Sequence, residues 1–515
     1  IELLPAAVRF ELEFTDLFAN LQQIHFPTPE CYSQMLNDGF HPAQRRLAYE
    51  ELLAHHLSLR KKRQQQQKEV AYCVEHADQL AAKLIATLPF QLTNAQTKAI
   101  AIIRADMRQN FPMLRLMQGD VGSGKTLVAI MAALAAIESG LQVAFMVPTE
   151  ILAEQHYANV QKWFATLGIQ VACLVSKLTT KDKTRIKQEL LAGNIHLVIG
   201  THALFQEDVQ FNKLGLVIID EQHKFGVAQR LALQRKGVQQ QYMPHQLILT
   251  ATPIPRTLAM TFYADLDYAV IDELPPGRKP ITTLVVSDKR RAEVLERVVS
   301  ICAQGQQVYW VCTLIAESEA IDSTPAELAY QNLQQQLPQL RVALIHAKLP
   351  SEKKEQIMYQ FKNGAIDLLV ATTVIEVGVD VPNACLMVIE NPERLGLAQL
   401  HQLRGRVGRG ALQSYCLLLY KTPLGQKAMQ RLQFMRDSQD GFAIAEFDLK
   451  LRGPGEVFGT RQSGLANLRI ADLVRDKDLL PKVATMAEII LQDYPEIVPL
   501  LLQRWIRQQL AYAAV

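Results

Sequence analysis

The stretch GDVGSGKT, residues 119–126, follows a strand-like apolar run at Met113–Met117 and opens a helix-forming run at Thr126–Ser139. A strand, a glycine-rich loop and a helix in this order are typical of a phosphate-binding loop in an α/β domain. The glycines let backbone N–H groups converge on an anion at the positive end of the helix dipole. The stretch therefore predicts a parallel-sheet domain that binds a nucleoside triphosphate.

Six residues of this loop are candidate ligands of ATP and Mg²⁺, the cofactors that we expect. Lys125 is placed to reach the β- and γ-phosphates, and the Thr126 hydroxyl is a candidate metal ligand. The remaining candidates offer backbone N–H groups to the phosphates: Gly119, Gly122, Ser123 and Gly124. A chance match is a poor alternative, because the strand and the helix stand where the motif requires them.

Two adjacent carboxylates, Asp220 and Glu221, end the buried apolar run Leu214–Ile219. Ligands bind at the carboxyl ends of strands in parallel sheets. We expect Asp220 to hold Mg²⁺ through water and Glu221 to orient and deprotonate the attacking water. Two neighbouring acids alone would more simply form a solvated turn, but the phosphate-binding loop upstream favours the catalytic interpretation.

Phe90 and Gln96, upstream of the loop, are candidates for binding the adenine base. A glutamine amide both donates to and accepts from the edge of the base, and a phenylalanine ring can stack on it. Gln96 by itself would be interpreted as a surface residue. The phosphate-binding loop that follows favours adenine recognition.

An arginine-rich loop, residues 404–409, follows the helix-forming run Leu397–Leu403. We expect Gln402, Arg404, Arg406 and Arg409 to form a second wall of the nucleotide site. Arg406 and Arg409 offer two guanidinium forks to one anion, as arginine fingers do. The alternative, a basic surface turn, leaves the glycines of this loop unexplained. Charge supplied from a second domain would let hydrolysis open and close a cleft.

The composition describes a globular protein with several domains. The chain has 515 residues, of which 49% are hydrophobic and 20% charged, which is enough for three or more domains. A net charge of +3 means that any nucleic-acid site must be a local basic patch. The seven cysteines form no CxxC pair and predict neither disulfides nor zinc. No apolar run approaches the roughly 18 residues of a membrane span, so we expect a cytoplasmic protein without a membrane partner.

Alternating strand-like and helix-like runs divide the chain into four parts. We predict an α/β protein with two tandem doubly wound parallel-sheet domains, at 86–275 and 276–435, and a cleft between them. A helical linker region at 1–85 precedes these domains, and a mostly helical tail at 436–515 follows them. The chain opens at Ile1 without a methionine, and we expect an upstream domain to be missing.

Four segments at the ends of predicted strands are candidates for contacting a nucleic-acid backbone: Pro148–Glu150, Gly200–His202, His346–Lys348 and Ala371–Val374. Hydroxyl and backbone N–H groups of such segments bind phosphates without specifying sequence. We expect them on the face opposite the nucleotide, although each alone would be a plain loop. The segment Glu446–Gly464 is either a coupling element or a structural cap.

Together these residues resemble superfamily 2 helicases, and within them the branched-DNA helicases. The resemblance covers about residues 15–500 and rests on Gly119–Thr126, Pro148–His156, Asp220–His223 with Phe225–Val227, Thr250–Thr257, Ala371–Ala384, Asn391–Arg409 and Arg452–Gly464. It implies tandem RecA-like domains that form an ATP-dependent helicase or translocase on duplex DNA. Such an enzyme remodels stalled forks, Holliday junctions and R-loops in recombination and repair. The implied partners are branched and duplex DNA and a single-stranded-DNA-binding protein.

Two departures and two alternatives accompany this resemblance. Lys224 and Ala347 stand where the family leads us to expect Arg and Gly, and we expect tuning of activity from them. The wedge domain that splits DNA arms in the family is not visible in this sequence. A transcription-repair coupling translocase would need a polymerase-binding module, and nothing before residue 85 resembles one. A non-enzymatic DNA-binding scaffold would need a damaged catalytic set, whereas every candidate catalytic residue is present.

Overall fold

The computed structural model describes residues 1–27, 33–75, 78–221, 242–252, 266–275, 278–313, 325–376, 381–410, 412–452 and 468–506. Several predicted motif residues lie outside these ranges: Gln222–Val227 with Lys224, Pro253–Thr257, Val377–Asp380 and Gly453–Gly464. The chain divides into two compact units. One contains residues 69–253 and 268–445, and the other contains residues 1–68, 254–267 and 446–515.

The first sheet has seven strands among the described residues, in the order β3-β4-β2-β5-β6-β1-β7. All pairings from β3 to β1 are parallel. Its five inner strands are buried almost throughout, because both faces of the sheet are covered. The strands are β1 (Leu114–Gly119), β2 (Gln142–Met146), β3 (Val171–Leu174), β4 (Leu197–Gly200), β5 (Leu214–Asp220), β6 (His245–Thr250) and β7 (Asp267–Ile271).

The second sheet has six parallel strands among the described residues, in the order β10-β11-β9-β12-β13-β8. Its strands are β8 (Thr282–Ser287), β9 (Gln307–Cys312), β10 (Val342–Ile345), β11 (Leu368–Ala371), β12 (Ala384–Glu390) and β13 (Tyr415–Tyr420). The predicted fold class, two tandem parallel-sheet α/β domains between helical end regions, is confirmed. We call the domain around the first sheet lobe 1 and the domain around the second sheet lobe 2.

Helices cover the sheets and form the two end regions. In chain order they are α1 (Ala6–Glu11), α2 (Leu17–His25), α3 (Ser33–Asn37), α4 (Pro42–Gln66), α5 (Gln79–Thr87), α6 (Asn94–Met107), α7 (Lys125–Glu138), α8 (Glu150–Phe164), α9 (Thr180–Leu191), α10 (Arg291–Ala303), α11 (Pro325–Gln336), α12 (Ser351–Lys362), α13 (Leu397–Arg404), α14 (Gln426–Asp437), α15 (Gly441–Arg452), α16 (Leu480–Asp493) and α17 (Val498–Trp505). None of the described helices is long and apolar enough to cross a membrane.

The end regions of the chain share one hydrophobic core, which the sequence did not predict. Side chains of the long helix α4, including Leu52, Leu53 and Leu57, are buried with side chains of α16 and α17 such as Ile490 and Leu501. Such clusters of buried apolar groups are the main stabilising contribution to a fold. Residues 1–68 and 446–515 therefore contribute to one unit, and the boundaries of the four parts given above stay predictions.

Glu51 on α4 anchors the chain segment before α16. Its carboxylate is buried and accepts backbone N–H bonds from Arg469 at 2.6 Å, Ile470 at 2.9 Å and Ala471 at 2.9 Å. Hydrogen bonds from several N–H groups to one charged acceptor are strong, and a donor left buried without its acceptor is costly. The Glu51 side chain therefore holds the irregular segment at 469–471 against helix α4.

We expect Glu51→Gln to loosen this segment. The amide keeps one acceptor oxygen but places an NH₂ group against a backbone donor, so local opening should become easier by about 1–3 kcal/mol. Hydrogen exchange at the amides of Arg469, Ile470 and Ala471 measures this change directly. Glu69→Gln, at an exposed position, is the matched control. Unchanged protection of the three amides would contradict the anchoring role.

Candidate nucleotide site

The phosphate-binding loop connects β1 to α7 and has the backbone that its glycines predict. Gly122 and Gly124 have φ values of 78° and 87°, in the left-handed region that side chains disfavour. Ser123 Oγ is buried and has no hydrogen-bond partner within the described residues. Lys125 Nζ donates to the carbonyls of Gly119 at 2.7 Å and Asp120 at 2.8 Å. A glycine-lined cradle at a helix N-terminus, with a buried hydroxyl and a lysine, fits a polyphosphate.

Gln96 supports the loop from α6. It completes a capping box with Thr93, and its Nε2 donates to the Ser123 carbonyl at 2.8 Å. A Cβ atom at Gly124 would lie 2.3 Å from Gln96 Nε2, so Gln96 and the loop are in close contact. Both ends of this buried amide thus bind the protein, while Phe90 is exposed. The adenine-binding role of Gln96 and Phe90 stays a prediction.

The two candidate catalytic carboxylates lie at the end of β5, which β6 separates from β1. Asp220 Oδ1 accepts the backbone N–H of Glu221 at 3.0 Å, and Asp220 Oδ2 lies 3.6 Å from His156 Nε2 on α8. Glu221 has a φ of 53°, which is a strained backbone for a glutamate of the kind found at functional sites. Parallel strand order therefore brings the acids and the phosphate-binding loop to one edge of the sheet.

The pKa of Glu221 is raised to about 7, chiefly because its carboxyl is buried and also because Asp220 is adjacent. The charges of Lys125 and Arg406 partly oppose this rise. The pKa of Lys125 is lowered by burial, against the attraction of Glu221, Asp220 and Asp120. A buried carboxyl that titrates near neutral pH is suited to exchanging a proton with water.

The arginine-rich loop of lobe 2 packs directly on the phosphate-binding loop of lobe 1. A Cβ atom at Gly405 would lie 2.8 Å from the Cβ of Val121, so only glycine permits this approach. Arg406 is 9% exposed, and its charge lowers the pKa of Glu221. The pKa of Arg409 is lowered to about 10, mainly by burial, and Arg409 in turn lowers the pKa of Lys125. The interpretation as a basic surface turn is therefore wrong, while the catalytic roles stay predictions.

Arg404 does not belong to this wall, contrary to our expectation. Its buried guanidinium donates to the carbonyls of Met435 at 2.9 Å and Ser438 at 2.8 Å. Because an arginine only donates, its contact of 2.8 Å with His401 Nδ1 makes that nitrogen an acceptor. His401 therefore donates from Nε2 to Asp120 Oδ1 at 3.0 Å. The sequence offered no signal for this link, because it depends on contacts between residues far apart in the chain.

Asp120 remains ionised in this contact between lobes. Burial raises the pKa of its carboxyl, but the hydrogen bond from His401, with the charge of Lys125, holds the pKa below its usual value. Gln402, beside His401, donates from Nε2 to Thr252 Oγ1 at 2.9 Å. The hydroxyl of this strand-end threonine thus links lobe 1 to lobe 2. The nucleotide-binding role of Gln402 stays a prediction.

The strand-end segments predicted to contact nucleic acid lie at the same sheet edge as the phosphate-binding loop, so the expectation of an opposite face is wrong for lobe 1. Parallel strands have their carboxyl ends at one edge, and β5 and β6 separate β2 from β1. At about 4.8 Å per strand, Pro148–Glu150 is displaced sideways by roughly 14 Å. Thr201 of lobe 1 and Thr372 of lobe 2 are buried, and neither Oγ1 has a hydrogen-bond partner in the part of the chain that is described.

Comparisons with known proteins agree with this geometry. Residues 93–261 match the DEAD/DEAH box helicases, residues 291–411 match the helicase conserved C-terminal domain, and residues 438–510 match the C-terminal part of domain 3 of the ATP-dependent DNA helicase RecG. The ATP-dependent DNA helicase RecG of Haemophilus influenzae is 54% identical over 494 residues, which are 96% of this chain and 71% of that protein. The chain belongs to the RecG family of ATP-dependent DNA helicases.

Other RecG proteins place the chain in the same family. RecG of Escherichia coli K12 is 56% identical over 494 residues, with the same 96% and 71% coverage. A solved structure of RecG bound to a three-way DNA junction is 45% identical, with a TM-score of 0.75, and the match covers 93% of this chain and 62% of that chain. The chain thus spans less than two thirds of that solved protein. The predicted relation to branched-DNA helicases is confirmed, and the transcription-repair coupling alternative is not favoured.

Proposed function

We propose that this chain is an ATP-driven motor that moves along duplex DNA and remodels branched DNA, including stalled forks, Holliday junctions and R-loops, in recombination and repair. The observation that carries this proposal is the contact between Gly405 and Val121. It joins the arginine-rich loop of one lobe to the phosphate-binding loop of the other. Chemistry at that contact can change how the two lobes fit together, as a motor requires.

The residues divide the chemistry of hydrolysis between the two lobes. The loop amides and Lys125 would hold the phosphates of ATP, and Thr126 and Asp220 would hold Mg²⁺, which neutralises charge that develops on the phosphates. Glu221 would accept a proton from the attacking water. Arg406 and Arg409 would stabilise the transition state from lobe 2. Each arginine adds a full positive charge in buried surroundings, where such charges act strongly.

The DNA partner is proposed from the strand-end segments and from the relative solved with a three-way junction. Hydroxyl and backbone groups at Pro148–Glu150 and Gly200–His202, with the corresponding segments of lobe 2, suit contacts with a phosphate backbone. We extend the proposal to a single-stranded-DNA-binding protein as a further partner and to the cytoplasm as the location. Binding through phosphates should weaken steeply as salt is raised.

The test is ATP hydrolysis with and without DNA, at fixed salt. We expect a three-way or forked junction to stimulate phosphate release more than linear duplex of equal length does. The Lys125→Ala variant, which removes the phosphate-binding ammonium, should show no stimulated hydrolysis with either DNA. If DNA does not change the rate of hydrolysis, the proposed motor function is contradicted. If linear duplex stimulates hydrolysis as much as a junction does, the proposed preference for branched DNA is contradicted. Capture of RNA polymerase by the chain would instead support the transcription-repair coupling alternative.

A further inference from the structure

Arg278 lies between the two lobes in sequence and reaches the phosphate-binding loop in space. It belongs to the proline-rich stretch at 274–280, shortly before β8. Its Nη1 donates a short hydrogen bond to the carbonyl of Val121, the same residue that Gly405 contacts. The segment between the lobes therefore places a cationic side chain against the backbone of the phosphate-binding loop.

The guanidinium of Arg278 lies directly against Gly122. A Cβ atom at Gly122 would be 2.3 Å from Arg278 Nη1 and 3.0 Å from its Cζ. Since Gly122 has a φ of 78°, this position favours glycine for its backbone as well as for the space that the arginine occupies. The guanidinium thus lies beside the N–H groups that the loop would offer to phosphates.

The bonds of Arg278 leave much of its donor capacity unused. A guanidinium carries five N–H donors in a planar fork. Within the described residues, the Arg278 side chain donates a hydrogen bond to the Val121 carbonyl. The charge of the Asp120 carboxylate acts on it, and Asp120 already accepts from His401 at 3.0 Å. The fork therefore retains donors for an anion on the loop.

A second arginine, Arg409, lies close enough to Arg278 to be affected by its charge. The pKa of Arg278 is lowered by burial, against the attraction of Asp120. The pKa of Arg409 is lowered first by burial and then by the charge of Arg278. Two guanidiniums from different parts of lobe 2 and its linker therefore repel each other beside the phosphate-binding loop. A polyphosphate between them would turn this repulsion into attraction.

We propose that Arg278 is a phosphate-contacting residue supplied by the chain between the lobes, in addition to Arg406 and Arg409. This inference rests on the proposed function and deepens it, because it names a further ligand of the nucleoside triphosphate. Pro275 and Pro280 flank Arg278 and restrict the backbone. A bond between Arg278 and a phosphate therefore ties the position of β8, the edge strand of lobe 2, to the presence of the nucleotide.

The test compares Arg278→Gln and Arg278→Lys with the native chain. Lys279→Gln, which removes a charge from the adjacent exposed residue, is the matched control. Binding of fluorescent ATP, ADP and adenosine is measured by titration at fixed salt without Mg²⁺, so that hydrolysis does not interfere. We expect Arg278→Gln to weaken binding of both phosphorylated nucleotides about 10-fold, which is the loss of one charge-assisted contact. Adenosine binding, and binding by the control variant, should not change.

The Arg278→Lys variant distinguishes a direct contact with phosphate from a purely structural role of Arg278. Arg278→Lys should recover part of the affinity, because it keeps the charge but loses the fork. A loss of adenosine and nucleotide binding in equal measure, or no loss in Arg278→Gln, would overturn the inference. A native chain that binds no ATP would instead overturn the proposed function. Circular dichroism of each variant verifies that the fold is retained.

Discussion

Glu221→Gln should slow ATP turnover by about 10²–10⁴-fold, the usual contribution of a general base. The amide keeps the shape of the buried side chain but cannot accept the proton of the attacking water. Nucleotide affinity should be preserved, because the phosphate-binding loop is untouched. Single-turnover phosphate release, measured beside a nucleotide titration, separates the two effects. Glu207→Gln, at an exposed position of lobe 1, is the control.

The same residue predicts how turnover depends on pH. Burial, helped by Asp220, raises the pKa of Glu221 to about 7, and a general base acts only when it is ionised. Turnover in the native chain should therefore rise as the pH increases through about 7. In the Glu221→Gln variant the residual rate should lack this step. An identical step in both proteins would assign the titration to another group and remove Glu221 from the role.

Arg406→Ala and Arg409→Ala should each slow turnover by about 10³-fold or more while ATP still binds. The charge of Arg406 lowers the pKa of Glu221, and that of Arg409 lowers the pKa of Lys125. Removing either one withdraws positive charge from the buried contact between the lobes. Phosphate release under saturating ATP measures the loss.

Two further variants complete this comparison. Arg394→Ala, at an exposed position of lobe 2, should leave turnover unchanged. Arg404→Ala should instead lower thermal stability, because the buried Arg404 guanidinium donates to the Met435 and Ser438 carbonyls. Native turnover in both Arg406→Ala and Arg409→Ala would disprove the assignment of arginine fingers.

Local patterns in the sequence determined the parts of the fold that depend on neighbouring residues. A phosphate-binding loop needs a strand before it and a helix after it, and residues 113–139 contain all three in order. Apolar runs such as Leu214–Ile219 predict covered parallel strands because both of their faces must be apolar. Lys125, Asp220 and Glu221 could be recognised as candidate site residues in the sequence because they follow predicted strands. These three residues lie close together in one buried region because the carboxyl ends of parallel strands meet at one edge of the sheet.

The tertiary structure alone decided where individual side chains point. Arg404 and Arg406 are two residues apart and equally basic, yet Arg404 binds carbonyls at 435 and 438 while Arg406 acts on Glu221. The link from Asp120 to His401 and the reach of Arg278 to Val121 join residues 281 and 157 positions apart. The shared core of the end regions likewise joins α4 to α16 and α17. Local periodicity specifies which face of a helix or strand is apolar. The contacts named here depend on which helices and strands pack together, and the packing depends on the whole chain.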